Sequence, residues 1–223
     1  MSEQGKFIRD LSLVDTYVFD YGGVVSHHYC EPWQGNLSKL LGVDPKTVNE
    51  LLSETSLHGK AYRLGKITQI EFWNEVMRLA GKNKVNVTEL AENWARSYQI
   101  DDRMLEIIEK LRVERGFQAG AMMNTDEYRH KHIEREYALS SRINFLVSSF
   151  LHGVTKPDLE AYITVLQLSN RIDHPEKVIY IDDRERNIHP CVGLGMQGYV
   201  YSSFEEFNNL LQENKVISSE KTK

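Results

Sequence analysis

Thr16-Tyr17-Val18-Phe19-Asp20-Tyr21-Gly22-Gly23-Val24-Val25 is the stretch on which the reading of this chain turns. Four residues of high β propensity run straight into a carboxylate and then into two glycines, which predicts a buried strand that delivers Asp20 into a tight turn. In open α/β sheets, ligands bind at the carboxyl edge of the strands, and glycine in the turn lets a ligand approach the backbone. Asp20 therefore stands where a nucleophile or a metal ligand belongs.

Working outward, Lys177-Val178-Ile179-Tyr180-Ile181 predicts a second strand, and it too runs into acid, at Asp182-Asp183. Adjacent carboxylates raise one another's pKa, and burial opposes their ionisation, so such a strand end needs a positive partner. A hard divalent cation meets that need, and an all-oxygen donor set favours Mg²⁺. The same acids also suit the amino terminus of the helix that follows, where the helix dipole welcomes negative charge.

Between these strands the pattern changes twice. From Pro32 to about Gln99 apolar residues recur at helical spacing, in Trp33 to Leu41, Pro45 to Leu52, Thr68 to Leu79 and Thr88 to Tyr98. Pro45 and Thr68 mark helix starts, Glu71 completes a capping box with Thr68, and Gly42 and Gly81 are placed to stop helices. After Asp101 helices and strands alternate: helix 103 to 113, strand 117 to 123, helix 127 to 138, a strand around 145 to 149, helix 158 to 168, strand 177 to 181, helix 185 to 193, strand 198 to 201 and helix 203 to 212. That alternation predicts an α/β fold with a Rossmann-like parallel sheet. The core domain is expected over 1–30 and 100–213, with a helical insertion over 31–99 and a frayed hydrophilic tail over 214–223.

At 223 residues, 41% hydrophobic, the chain is long enough to bury an α/β core and carry a smaller second unit. The net charge is -5 and no dense block of Lys and Arg occurs, so a nucleic-acid partner is not expected and a small-molecule substrate is. Cys30 and Cys191 are too few for a disulfide framework and lack zinc-ligand spacing. Met1 to Asp10 is polar, and no apolar stretch is long enough to cross a bilayer, so a cytoplasmic protein without a membrane partner is the expectation.

Four segments occur in a telling order: Asp20-Tyr21-Gly22-Gly23-Val24, Met122-Met123-Asn124-Thr125, Lys156-Pro157 and Asp182-Asp183. Together they resemble the haloacid dehalogenase (HAD) superfamily over essentially the whole chain. The resemblance extends to a helical cap inserted after the first strand, with Gly65-Lys66-Ile67-Thr68 and Glu71-Phe72-Trp73 as its typical stretch. It implies a HAD-fold core with an inserted helical-bundle cap, and a Mg²⁺-dependent phosphatase acting on a small phosphorylated metabolite such as a sugar phosphate. Asp20 matches the nucleophile that forms an aspartyl-phosphate, which suits a carboxylate because it needs no separate base. Lys156 matches the ammonium that steadies nucleophile and phosphoryl oxygens. The resemblance assigns Gly22, Gly23, Asn124 and Thr125 to substrate binding. It assigns Asp20, the Gly22 carbonyl, Asp182 and Asp183 to the metal.

Two positions depart from that pattern. Gly22 stands where many phosphatases of the superfamily carry an acid that protonates the leaving group, and Met123 stands where a serine or threonine usually donates to the phosphoryl group, which a thioether cannot do. The chain is then expected to hydrolyse esters with good leaving groups, to borrow an acid from His27, His28 or the cap, or to bind phosphorylated ligands without turnover. The dehalogenase branch also lacks the acid, but it is metal-independent and resembles Ser-Asn, not Asp-Asp, at the last motif. Trp33, Trp73 and Trp94 read as the cap's own core, Arg184 and Arg186 as solvated helix-surface charges, and Arg129-His130-Lys131-His132 as an exposed helix face.

Overall fold

The computed structural model describes residues 7–27 and 33–218. Strand β1 (Thr16–Asp20) is buried along its whole length. It leads through the glycine turn to the two-residue β2 (Ser26–His27). Five helices follow, α1 (Trp33–Leu41), α2 (Pro45–Leu51), α3 (Leu57–Arg63), α4 (Gln69–Leu79) and α5 (Val87–Ala95), and the chain returns on β3 (Gln99–Ile100). β3 pairs antiparallel with β2, Ser26 opposite Ile100 and His27 opposite Gln99, so the helical unit leaves and rejoins the core side by side.

The remainder alternates: α6 (Asp102–Glu109), β4 (Gln118–Met123), α7 (Glu127–Tyr137), α8 (Leu139–Arg142), β5 (Phe145–Ser148), α9 (Ser149–His152), α10 (Leu159–Leu168), β6 (Val178–Asp182), α11 (Glu185–Gly193), β7 (Gln197–Val200) and α12 (Phe204–Glu213). The main sheet runs β5-β4-β1-β6-β7, every pair parallel. β1 is central because its residues are apolar on both faces, as a strand covered by helices on each side must be. Register pairs Asp20 with Met122 and Phe19 with Ile181, which brings the carboxyl ends of β1, β4 and β6 to one edge. Gly120 lies in β4 where a Cβ would come within 2.4 Å of the Phe145 ring, so the neighbouring strand fills the space a side chain would need.

The helical unit has its own apolar centre, built around Leu37, Phe72, Trp73, Leu90 and Trp94. Its ends are set as local chemistry dictates. Asp44 caps α2 with Pro45 at the first helical position, and Thr68 and Glu71 form a reciprocal capping box on α4. Gly42 and Gly81 take the left-handed conformation that ends α1 and α4.

Several details differ from the sequence-based expectation. α3 carries no strong helical pattern and was not expected; Ser56 caps it, and Gly59 packs where a Cβ would clash at 2.0 Å with the Ser53 carbonyl. The helix expected over 103 to 113 is α6 followed by a π-helical turn, Lys110–Glu114. The expected fraying from Asn214 does not begin there. Val216 and Ile217 are buried and the Val216 amide donates to the Leu211 carbonyl, because two apolar residues after α12 fold back onto the core. Residues 219–223, at the end of that expected tail, lie outside the described residues, as do His28 and Cys30.

Candidate active site

The ends of β1 and β6 converge on one ammonium. Lys156 Nζ lies 2.5 Å from Asp20 Oδ1 and 3.2 Å from Asp182 Oδ2, and all three side chains are buried. Carboxylate oxygens of Asp20, Asp182 and Asp183 lie within 4.8 Å of one another. Lys156 is held from behind, since the Asn124 amide brackets its backbone: Lys156 N–H donates to Asn124 Oδ1 at 2.9 Å, and Asn124 Nδ2 donates to the Lys156 carbonyl at 3.0 Å. Asn124, read as a substrate contact, thus has its side chain engaged in placing the lysine.

The two adjacent aspartates differ in surroundings. Asp182 accepts from Lys156 Nζ, from the Tyr180 hydroxyl at 2.5 Å, from the Arg184 backbone N–H at 2.9 Å, and from Asn187 Nδ2 at 2.9 and 3.0 Å. Burial alone would raise its pKa, but Lys156 and these donors more than offset that and hold the carboxyl below its usual range. Asp183 is only partly buried, and burial together with the charge of Asp182 pushes it up. Asp20 is pushed up to about 8, first by burial, with Lys156 opposing and Asp182 and Asp183 adding to the rise. Lys156 stays charged, because the two aspartates outweigh its own burial. Three carboxylates around one ammonium leave an excess of negative charge, the condition a divalent cation with oxygen ligands relieves.

Asp20 and Lys156 border a cavity of about 400 Å³ between the sheet edge and the helical unit, with Asp182 and Asp183 next to them. Asp20, Tyr21, Gly22, Met123, Asn124, Thr125 and Lys156 line it from the core. Gly23 is not among the lining residues; its positive φ of 93° instead makes the turn after β1. Met123 is buried beside Asn124, and the Thr125 hydroxyl is buried with no hydrogen-bond partner while its backbone is pinned to Ser149.

Charged residues read as surface groups line the same cavity. Arg129 is 2% exposed, its guanidinium 3.9 Å above the Trp94 ring, with Nε 2.5 Å from Asp126 Oδ2 and Nη1 donating to the Tyr98 hydroxyl. His132 is buried as well, so the expected exposed face of α7 is in part an inward face. Arg184 and Arg186, half-exposed, both pair with Glu54 of the α2–α3 loop, at 2.8 and 2.6 Å. Burial would raise the Glu54 carboxyl, but Arg184, Arg63, the Asn124 amide and Arg186 hold it below the usual range. Trp73 is core, whereas Trp33 and Trp94 also line the cavity. His27 is turned away, exposed and paired with Asp101 at 3.3 Å. Sequence pattern gives no sign of Glu54, Arg63 or Tyr98; only the docking of the helical unit on the sheet edge brings them there.

No family model matches the sequence, and no curated protein matches it. Solved structures do. The chain is similar to a HAD family enzyme from Bacteroides thetaiotaomicron, in complex with magnesium and inorganic phosphate, with a TM-score of 0.75 at 20% identity over 88% of this chain and 98% of that one. It is similar to a predicted HAD-like family hydrolase from Porphyromonas gingivalis, TM-score 0.73 at 20% identity over 90% and 98%. It is also similar to a 2-haloacid dehalogenase from Pseudomonas syringae pv. Tomato DC3000, TM-score 0.56 at 15% identity over 83% and 85%.

Proposed function

We propose that this chain, which has the fold of haloacid dehalogenase superfamily enzymes, is a Mg²⁺-dependent phosphohydrolase acting on a small phosphorylated metabolite. The observation that carries the reading is the convergence of Asp20, Asp182, Asp183 and Lys156 beside a cavity large enough for a sugar phosphate. Asp20, Asp183 and the Gly22 carbonyl would hold the ion, because Asp182 already accepts hydrogen bonds on both oxygens. Bound there, Mg²⁺ supplies positive charge that lets a carboxylate meet a phosphoryl group.

In this reading Asp20 Oδ attacks phosphorus as the ester oxygen departs, and water then cleaves the aspartyl-phosphate to regenerate Asp20 and release phosphate. Lys156 keeps the attacking carboxylate in place and faces the charge that builds on the phosphoryl oxygens. The Thr125 hydroxyl takes the contact that Met123 cannot make. The helical unit acts as a cap that closes the cavity and selects the substrate.

Among the described residues, none of the positions considered as an acid suits the protonation of a leaving oxygen. Gly22 has no side chain, His27 points elsewhere, and Glu54 is held ionised by its arginines. This favours substrates whose leaving group departs without a proton, such as sugar 1-phosphates and acyl phosphates. The test is phosphate release from a panel of both, with Mg²⁺ and with EDTA. Wild type is expected to require Mg²⁺, and Asp20→Asn to lower turnover by a factor of about 1,000 or more. Activity that survives the substitution overturns the mechanism.

Met123 at the end of β4 favours a second reading, a phospholigand-binding protein without turnover. An inert wild type across the panel, with Met123→Ser gaining activity, would select it. Halide release from 2-haloacids without metal would select the dehalogenase alternative instead.

A further inference from the structure

Across the cavity from the aspartates lie two buried guanidiniums, of which only Arg129 is ion-paired. Arg129 and Arg63 are both buried and both line the cavity; Arg129 pairs with Asp126, whereas Arg63 has no carboxylate within 4 Å among the described residues, and Glu54, whose charge reaches Arg63, is itself paired with Arg184 and Arg186. Arg63 spends its hydrogen bonds on backbone carbonyls, Nη1 on Gly59 at 3.1 Å and Nη2 on Leu52 at 2.9 Å. Burial, with the charge of Arg129 adding, pushes its pKa down to about 10, so it remains a cation at neutral pH. Arg129 Nη2 is buried and has no hydrogen-bond partner. The Trp94 ring lies within cation–π range of both guanidiniums, with Arg129 3.9 Å and Arg63 5.2 Å from its centroid.

A positive charge held out of water without an opposite charge is costly, and a donor left unmade inside a protein is costly again. A purely structural anchor between helices would be expected to balance its charges. Two buried cations against one acid, with a spare N–H donor at a cavity wall, instead describe a site completed by a ligand anion. We infer that Arg129 and Arg63 bind a second anionic group of the substrate, so that the preferred substrates are phosphate monoesters bearing a further phosphate or carboxylate. The inference rests on the phosphohydrolase reading for the first phosphate, and the wall's charge excess stands independently of it. Arg129 belongs to α7 of the core and Arg63 to α3 of the helical unit, so one anion bound to both ties the two parts together.

The experiment compares matched ligands that differ only in the second anion: glucose 1,6-bisphosphate against glucose 1-phosphate, and 2-phosphoglycolate against ethyl phosphate. Their affinities for the full-length, Mg²⁺-loaded Asp20→Asn protein are measured by calorimetry, and their turnover by wild type is measured separately. The doubly anionic member of at least one pair is expected to bind tenfold or more tightly, and the pair that shows the gap identifies phosphate or carboxylate as the second group. Adding Arg129→Gln or Arg63→Gln is expected to shrink the ratio within that pair below threefold. Where Arg129→Gln unfolds the protein, Asp126→Asn with Arg129→Gln removes the ion pair as a unit and gives the same reading. Equal affinities within both pairs, or a gap that persists in the arginine variants, overturns the inference. Absence of turnover on every ligand with the gap intact sinks the phosphohydrolase reading and leaves the arginine wall standing.

Discussion

The two walls of the cavity are built from opposite imbalances. At the sheet edge, Lys156 pairs with two of three clustered carboxylates; on the far side, two buried arginines stand with one ion-paired acid, Asp126. Asp20 and Asp182 of the first group sit on the ends of parallel strands, whose hydrogen-bonded register fixes them before any ligand arrives. The second draws on α3, α7 and the Trp94 ring of α5, so it exists only while the helical unit packs on the core. The difference teaches how one small cavity can orient a ligand: positive charge is favoured at the rigid side and negative charge at the assembled side. Both imbalances lie out of water, where opposite charges are weakly screened and a missing partner is felt most.

The sharpest way to break this comparison is at its rigid side. Lys156→Met leaves Asp20 and Asp182 without their shared ammonium, and the protein is expected to lose about 3–5 kcal/mol of stability in EDTA. Thermal melts should show Mg²⁺ returning part of that loss, since an ion that binds only the folded state stabilises it. An unchanged melting temperature in EDTA would mean that the aspartates are not strained by their own charge.

A matching change on the assembled side is expected to cost less, about 3 kcal/mol, because Arg129 keeps the Tyr98 hydroxyl and the Trp94 ring as partners. Asp126→Asn leaves Arg129 without its ion-pair partner, and it also weakens the cap on α7, where Asp126 accepts from the Tyr128 and Arg129 amides. Inorganic phosphate at millimolar concentration should raise the melting temperature of this variant more than that of wild type. Equal shifts would remove the claim that the wall seeks an anion.

Asp101 supplies the contrast, a buried carboxylate in no charge excess. Hydrogen bonds from Arg103 hold it below its usual range against its own desolvation, so its stabilisation is present above the unfolded value near about pH 4 and is lost as pH falls through the lower folded value. Asp101→Asn is expected to cost about 1 kcal/mol at pH 7, since Arg103 is half-exposed, with the gap to wild type closing toward about pH 3. Neither Mg²⁺ nor phosphate should move that gap, and a response to either would show that the charges of this protein are coupled well beyond the cavity.

Much of the fold is legible in the chain because its signals are local. The apolar runs ending in Asp20 and Asp182, the Thr68–Glu71 box and the stop glycines each act over a few residues, and the structure realises all of them. The acid side of the cavity is legible for the same reason, since a strand end carries its acid wherever the sheet forms. The arginine side is not. α7 reads Glu-Tyr-Arg-His-Lys-His-Ile-Glu-Arg-Glu-Tyr, a pattern that looks solvated all round, and only the arrival of Trp94 and Tyr98 from the helical unit converts Arg129 into a buried residue. α3 and the β2–β3 pair escape pattern reading because seven residues with a central glycine and two paired dipeptides carry too little periodicity.

The β2–β3 ribbon gives the molecule a single doorway. Outgoing and returning backbones stand about 5 Å apart, as neighbouring strands do, so whatever is threaded between them closes on itself before it reaches the main sheet. An insert tethered in this way can change in length or shape without altering the register of β1, β4 and β6, whose ends carry Asp20 and Asp182.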